Sequence, residues 1–448
     1  MNMDAYGQGS GDKNLKMNLA DTIRLAWADE DLRTRIMFIL KVFAIYVAGI
    51  HIRVPIPGVN MESFARAVGS STFFDLINTL GGGGLKKISI FALGLGPYIT
   101  SSIIMQILTS ANPAWKKEMA EGGQYARQQQ NKRTKALTLL LCVFQGITFL
   151  RMISSAGGGT FSPFVMTSVI IFWTAGSYFL LWLGEQLSEK GIGNGTSLLI
   201  FAGIVIAFPS QIEVIISGIR TGNLAFWQPI VLIAMFFAST WFVVHFTVAQ
   251  RRIPIQHMRR QMGTKAMGGG TNYLPFSVNM VGVIPIIFAS ALLALPSQLA
   301  GAFKAGTPTY DFFQSVQLFT YPDFSRWQGY VGAFVYMVLI FFFTYFYTAI
   351  QFSVDDISDN LKRHGSFIPG VRPGKQTRDF LDTIISRITV IGALFLSIVS
   401  LSQFLVPLVV PVRGLSQIFG TSLLIMVSVA LETMRQIEAN LIMKQYGN

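Results

Sequence analysis

The side chains able to do chemistry in this chain are few and scattered. Its four histidines, His51, His245, His257 and His364, lie far apart, and no HExxH pair exists to hold zinc on one helix face. The single cysteine, Cys142, sits inside an apolar run, which excludes an internal disulfide and a cysteine-based metal cluster. The stretch GIGNG (191–195) superficially resembles a phosphate-cradling loop. It lacks the Lys-Ser/Thr ending and leads into an apolar run, so it reads as a helix entry. No aspartate occupies the middle of an apolar run, which argues against an intramembrane aspartyl protease. Glu432 falls near the inner end of its run, where it can reach the interface. The mid-membrane carboxylates that ion-coupled transporters need are nearly missing. The expectation is a non-enzyme with no cofactor and no metal.

What remains is arginine in ordered surroundings. In SFIPGVRPGKQTRDF, two Pro-Gly pairs, Pro369-Gly370 and Pro373-Gly374, flank Arg372. Proline fixes φ and glycine permits tight turns, so 351–383 reads as a stiff projecting loop with Arg372 at its tip. Thr377 is expected to cap the following helix, with Asp379 in its first turn. A second basic loop, 249–275, carries Arg251, Arg252, Arg259, Arg260 and Lys265 and no acid. There Ile253 and Ile255 alternate with polar neighbours and Gly268–Gly270 offers a turn, the pattern of an irregular hairpin.

These loops must hang from a membrane domain. Hydrophobic residues make up 51% of the 448, charged residues only 13%, where soluble proteins carry roughly 25% charged; mean hydropathy is +0.49. A window of about 20 residues selects ten runs: 36–52, 88–110, 136–153, 163–183, 196–218, 227–248, 277–300, 330–352, 386–411 and 415–434. Lys41, near the start of the first, can snorkel to the interface. With the N-terminus inside, the inner segments hold 25 Lys and Arg and the outer ones nine, with Lys41 completing the 35. That bias places both termini in the cytosol, and it accounts for the net charge of +13 without invoking nucleic acid. The first 35 residues are polar and mixed in charge, with no cleavable signal peptide visible.

Ten spans divide at the turn 219–226 into two sets of five. Five is odd, so the halves run in opposite orientation, the arithmetic of an inverted repeat. The organisation expected is a cytosolic segment 1–35, a half 36–218, the hinge turn 219–226, a half 227–434 and a cytosolic tail 435–448. Residues 18–32 read as an interfacial helix, with Leu19, Ile23 and Trp27 on one face. Residues 61–87 cannot span: Phe73, Phe74, Leu76, Ile77 and Leu80 are followed by Gly81–Gly84 and Lys86-Lys87. They form either an outer loop or a re-entrant piece whose backbone finds partners at membrane depth. From the residues alone, an inverted-repeat transporter for small solutes is the alternative to a conduit.

Six stretches occurring in order resemble one family: RVPIPGVN (53–60), ISIFALGLGPYITSSIIMQILT (88–109), GIGNGTSLLIFAGIV (191–205), NMVGVIPIIFAS (279–290), DNLKRHGSFIPGVRPGKQT (359–377) and FGTSLLIMV (419–427). They are similar to motifs of the SecY/Sec61 alpha family, the central channel subunits of protein export, over residues 18–446. The resemblance implies an all-α membrane protein whose ten transmembrane helices form two inverted five-helix halves, a clamshell around an hourglass pore. It implies a ring of pore residues at Leu95, Ile99, Thr196, Ile200, Ile287 and Ile425, with Thr196 departing from the aliphatic pattern. It implies a plug within 61–84, carrying Phe73, Phe74, Leu76, Ile77 and Leu80, and a lateral gate between spans two and three and spans seven and eight. Gln106 and Asn279 fall in the gate motifs, where a polar contact across the gate is expected. The implied docking residues are Arg251, Arg252, Arg259, Arg260, Gly370, Arg372, Pro373 and Gly374. The implied partners are SecE-like and SecG-like small membrane subunits, the motor ATPase SecA, the ribosome with its RNA, secretory preproteins with their signal sequences, and lipid. The implied location is the bacterial cytoplasmic membrane.

Overall fold

The computed structural model describes residues 19–57, 78–79, 81–154, 161–222, 224–257, 261–262, 265–266, 271–303, 306–324, 326–410 and 419–447. The expected plug side chains Phe73, Phe74, Leu76, Ile77 and Leu80 lie outside them, as do Arg259 and Arg260.

Ten helices account for the expected spans: α2 (Glu30–His51), α3 (Gly96–Ala111), α5 (Gly123–Ile153), α6 (Pro163–Lys190), α7 (Gly195–Arg220), α8 (Trp227–Val248), α9 (Ile284–Ala302), α11 (Trp327–Gln351), α13 (Lys375–Val409) and α14 (Thr421–Gly447). Four shorter helices lie between or before them: α1 (Leu19–Ala28), α4 (Pro113–Glu121), α10 (Pro308–Thr320) and α12 (Val354–Arg363). Seven of the described helices are long and apolar enough to cross a membrane on that ground alone. The chain is a multi-pass membrane protein. Large apolar side chains such as Ile230, Ile233, Phe237 and Trp241 face outward from α8, as a helix bathed in lipid requires.

Local chemistry places the helix starts. Asp29 accepts from the Leu32 amide at 2.9 Å and caps α2, so the expected interfacial helix 18–32 divides at Asp29 into α1 and the start of the first membrane helix. Asn194 caps α7 by accepting from the amides of Thr196 at 3.0 Å and Ser197 at 3.2 Å, the helix entry read from GIGNG. The turn between the halves runs from the end of α7 at Arg220 to Trp227, with Leu224 buried among Leu232, Val406, Val410 and Phe419.

One expected span is only half helical. Within 88–110, helix α3 begins at Gly96, and 81–95 is a buried run of turns. Its backbone finds partners instead of water. The Val54 amide donates to the Ile88 carbonyl at 2.9 Å and the Ile90 amide to the Ile52 carbonyl at 3.0 Å, a short antiparallel contact centred on Arg53 and Ser89. The amide of Gly83 reaches the Asn78 carbonyl at 2.7 Å, and that of Lys86 the Asn78 side chain at 2.9 Å. Gly176 is the reason α6 can press on this run: a Cβ there would collide with the Ile90 carbonyl. In the described part of 61–87, the backbone of Gly83 and Lys86 is partnered by Asn78.

Further departures from the sequence reading are of length. Helix α10 occupies part of the segment read as an outer loop, and α14 continues through most of the tail 435–448.

Candidate pore, gate and docking module

Five of the six expected ring residues meet in one apolar cluster. Leu95, Ile200 and Ile425 are among its buried members, and Ile99 and Ile287 pack against it half-buried. Leu95 and Ile99 come from the start of α3, Ile200 from α7, Ile287 from α9 and Ile425 from α14. Both halves thus contribute to one apolar contact. An apolar contact of this kind offers water and hydrated ions no polar partner.

Thr196 stands apart. One turn before Ile200, it lines a cavity of about 460 Å³ with Tyr98, Asn131, Lys135, Leu181, Glu185, Ser188, Glu189 and Asn194. There Lys135 and Glu185 pair at 2.5 Å, joining α5 to α6. The polar residue of the expected ring therefore faces a polar chamber beside the apolar cluster, consistent with its hydroxyl.

Among the described residues, two polar contacts join α3 and α5 of one half to α11 and α9 of the other. Tyr347 of α11 donates its hydroxyl to the side-chain carbonyl of Gln106 on α3, and the Gln106 amide donates to Ser102 at 3.1 Å. Gln145 of α5 donates to Gln298 of α9 at 3.4 Å, with both side chains buried. The sequence places Gln106 and Asn279 in the gate motifs, with a polar contact expected across the gate. Asn279 instead lies in the bend before α9, and its buried Nδ2 has no hydrogen-bond partner among the described residues. The signal missed was a polar tip in an apolar span: Gln145, Gln298 and Tyr347 each sit in such a run.

The two basic loops fold into one module. Strand β1 (Gln250–His257) pairs antiparallel with β4 (Thr271–Ser277), as the alternation of Ile253 and Ile255 suggested. The short strands β2 (Gln261–Met262) and β3 (Lys265–Ala266) pair with each other farther along the hairpin. Strand β1 also pairs with β5 (Ser366–Phe367) from the second loop, Gln256 opposite Phe367 and His257 opposite Ser366. Beneath this sheet Ile253, Phe276, Ile368, Leu381, Ile385 and Ile388 form a small core of their own. Arg251 and Arg252 are exposed on β1. Arg372 and Pro373 are exposed at the tip of the second loop, between Gly370 and Gly374 with φ of +81° and +105°. Such dihedrals favour glycine, which explains the spacing of the two Pro-Gly pairs. Thr377 is not the cap of α13. Gly374 holds that position, and the Thr377 hydroxyl instead donates to the Arg372 carbonyl at 2.9 Å.

A helical membrane protein in two halves, closed on itself by an apolar cluster and carrying one structured basic module, defines the class of polytopic membrane channels. Comparison with known proteins narrows the class. A family model for SecY matches residues 89–434. The protein translocase subunit SecY of Aquifex aeolicus is 38% identical over 445 residues, covering 96% of this chain and 99% of its own. That of Thermus thermophilus is 38% identical over 431 residues, covering 93% and 94%. A solved protein-conducting channel superposes at a TM-score of 0.66 with 19% identity, covering 90% of this chain and 91% of its own. Sec61 from a canine ribosome-channel complex does so at 0.59 with 18% identity, covering 90% and 91%. The chain belongs to the SecY family, and its fold is the ten-helix, two-halved fold of that family.

Proposed function

We propose that this chain is the central channel subunit of a protein translocase, passing secretory polypeptides across the cytoplasmic membrane of a bacterium and releasing apolar segments sideways into lipid. The observation that carries the reading is the apolar cluster in which Leu95, Ile99, Ile200, Ile287 and Ile425 meet from both halves. A passing chain would part it and fill the opening, and in its absence the side chains close on one another. A segment more soluble in lipid than in the pore would leave through the seam crossed by Gln106–Tyr347 and Gln145–Gln298. Residues 61–84 would block the outer funnel as a plug. Opening would then be a shift between two arrangements, biased by the signal sequence and by a cytosolic partner that supplies the energy.

The orientation follows the basic residues, with the module of β1, β4, β5 and α12 and both termini in the cytosol. The contact of Lys444 near the end of α14 with Asp29 at the start of α2, 2.8 Å, supports one side for both. The module would receive SecA or the ribosome, its arginines meeting carboxylates or ribosomal RNA phosphates. SecE-like and SecG-like subunits would complete the channel, and the chain itself would carry out no bond-making step. A small-solute transporter would need a polar substrate site between the halves, which the cluster of Leu95, Ile99, Ile200, Ile287 and Ile425 does not offer.

The test is reconstitution of the purified chain with its small co-purifying subunits in vesicles. Energy-dependent protection of a secretory preprotein from external protease is expected. Vesicles that protect none, while accumulating a small solute, would overturn the reading.

A further inference from the structure

The tip that carries Arg372 is held at four points, two of them by side-chain hydroxyls. Ile368 is buried in the module's small core and Val371 packs against it. Between them Pro369 and Gly370 make a turn closed by the Val371 amide on the Ile368 carbonyl at 3.0 Å, with Gly370 at φ +81°. Beyond the turn, the Arg372 carbonyl accepts from the Thr377 hydroxyl at 2.9 Å. The Gly374 carbonyl accepts from the Ser358 hydroxyl of α12 at 3.3 Å and from the Arg378 amide at 3.1 Å. Thr377 is 3% exposed and Ser358 5%, so neither hydroxyl has water to fall back on. The guanidinium of Arg372 lies outside this scaffold and has no ion-pair partner among the described residues.

We propose that Thr377 and Ser358 are positioning residues for Arg372: their hydroxyls fix the carbonyls on either side of Pro373, so that the guanidinium is presented to the docking partner from a backbone already in its bound shape. The inference rests on the docking reading of Arg372 made above. A loop ordered beforehand loses less freedom on association, so its order appears as affinity. Pro373 contributes to the same end, since a proline biases the residue before it toward extended backbone. The carbonyl of Arg372 is held by Thr377, and its side chain is exposed.

The test uses vesicles carrying the whole channel and equilibrium binding of the purified motor ATPase, SecA. Four channels are compared with wild type: Thr377→Val, Thr377→Ser, Arg372→Glu, and Thr377→Val combined with Arg372→Glu. Valine keeps the shape of threonine and removes the donor. Binding is expected to weaken about five- to tenfold, the range one lost buried hydrogen bond supplies, with the resting ion seal unchanged. Amide exchange of Val371, Arg372 and Gly374 should rise in the same variant. Thr377→Ser, which keeps the hydroxyl, should restore both readouts. The double variant should bind little worse than Arg372→Glu alone, because a positioning residue has nothing left to position. If Thr377→Val binds like wild type, or if its loss adds in full to that of Arg372→Glu, the positioning role is wrong while the docking role stands. If Arg372→Glu itself binds like wild type, the docking reading falls and this inference with it. Should Thr377→Val fail to assemble, Ser358→Ala serves in its place, since the Gly374 carbonyl keeps the Arg378 amide; wild-type binding and exchange there would equally sink the proposal.

Discussion

Gln145 and Gln298 meet at 3.4 Å, buried, one on α5 and the other on α9, on opposite sides of the seam. Inside a membrane an amide without a partner has no water to turn to, so each glutamine holds the other. Gln145→Leu should leave Gln298 unpaired in the closed arrangement, at a penalty of about 1–3 kcal/mol. The closed state would lose ground to the open one. Vesicles with this change should transport preproteins with weakened signal sequences more readily than wild type. Gln145→Leu together with Gln298→Leu should return toward wild-type stringency. Equal stringency in the single variant and wild type would mean the pair does not hold the gate.

The apolar cluster and the polar cavity make opposite predictions for neighbouring positions on one helix. Ile200→Asn puts a hydrogen-bonding group into the apolar cluster proposed as the seal, and so do Ile99→Asn and Ile425→Asn. Each should raise resting conductance in planar bilayers. Thr196→Asn, one turn away in the cavity with Lys135 and Glu185, should leave it near wild type. A leak from Thr196→Asn equal to that from Ile200→Asn would place Thr196 in the seal after all.

Orientation is open to labelling. With the buried Cys142 replaced, single cysteines at position 265 in β3 and position 372 should react only with reagent on the cytosolic side. One at position 310, in α10, should react only from outside. External labelling of position 372 would reverse the topology.

Arg378 binds Asp355 at 2.7 Å and braces α13 against α12, with both side chains more than half exposed. An exposed pair of this kind contributes only about 0–1 kcal/mol, so Arg378→Glu should cause a mild transport defect, most visible at low salt. Restoring the pair with the signs exchanged, Arg378→Glu with Asp355→Arg, should remove it. Arg372→Glu should abolish SecA-driven transport with normal channel levels and no leak, and no change at Asp355 should rescue it. Equal defects in the two single variants would deny Arg372 any special role.

Much of this molecule was legible in the order of its residues. Ten apolar runs follow from the thickness of a bilayer, and ten helices answer them. The excess of Lys and Arg on alternate segments follows from how charges resist crossing it. The Pro-Gly pairs around Arg372 dictate turns because proline and glycine restrict or free φ wherever they stand, and the alternation of Ile253 and Ile255 dictates a strand. These are local properties, set by each residue and its near neighbours.

What the tertiary structure decided were the pairings. That 81–95 is buried without being helical depended on backbone partners near Ile52 and Val54, some 35 residues earlier. That Gln106 meets Tyr347 depended on how α3 and α11 lie against each other, 241 positions apart in the chain. Thr377 looked like a helix cap, because a threonine near a helix start is one in isolation; the fold of the tip carried Gly374 to that position and turned the hydroxyl onto Arg372. The two basic loops became one module only because β5 pairs with β1 across more than a hundred residues. A hydrogen bond between distant segments leaves no trace in the residues beside either partner, so only packing the helices together could select it.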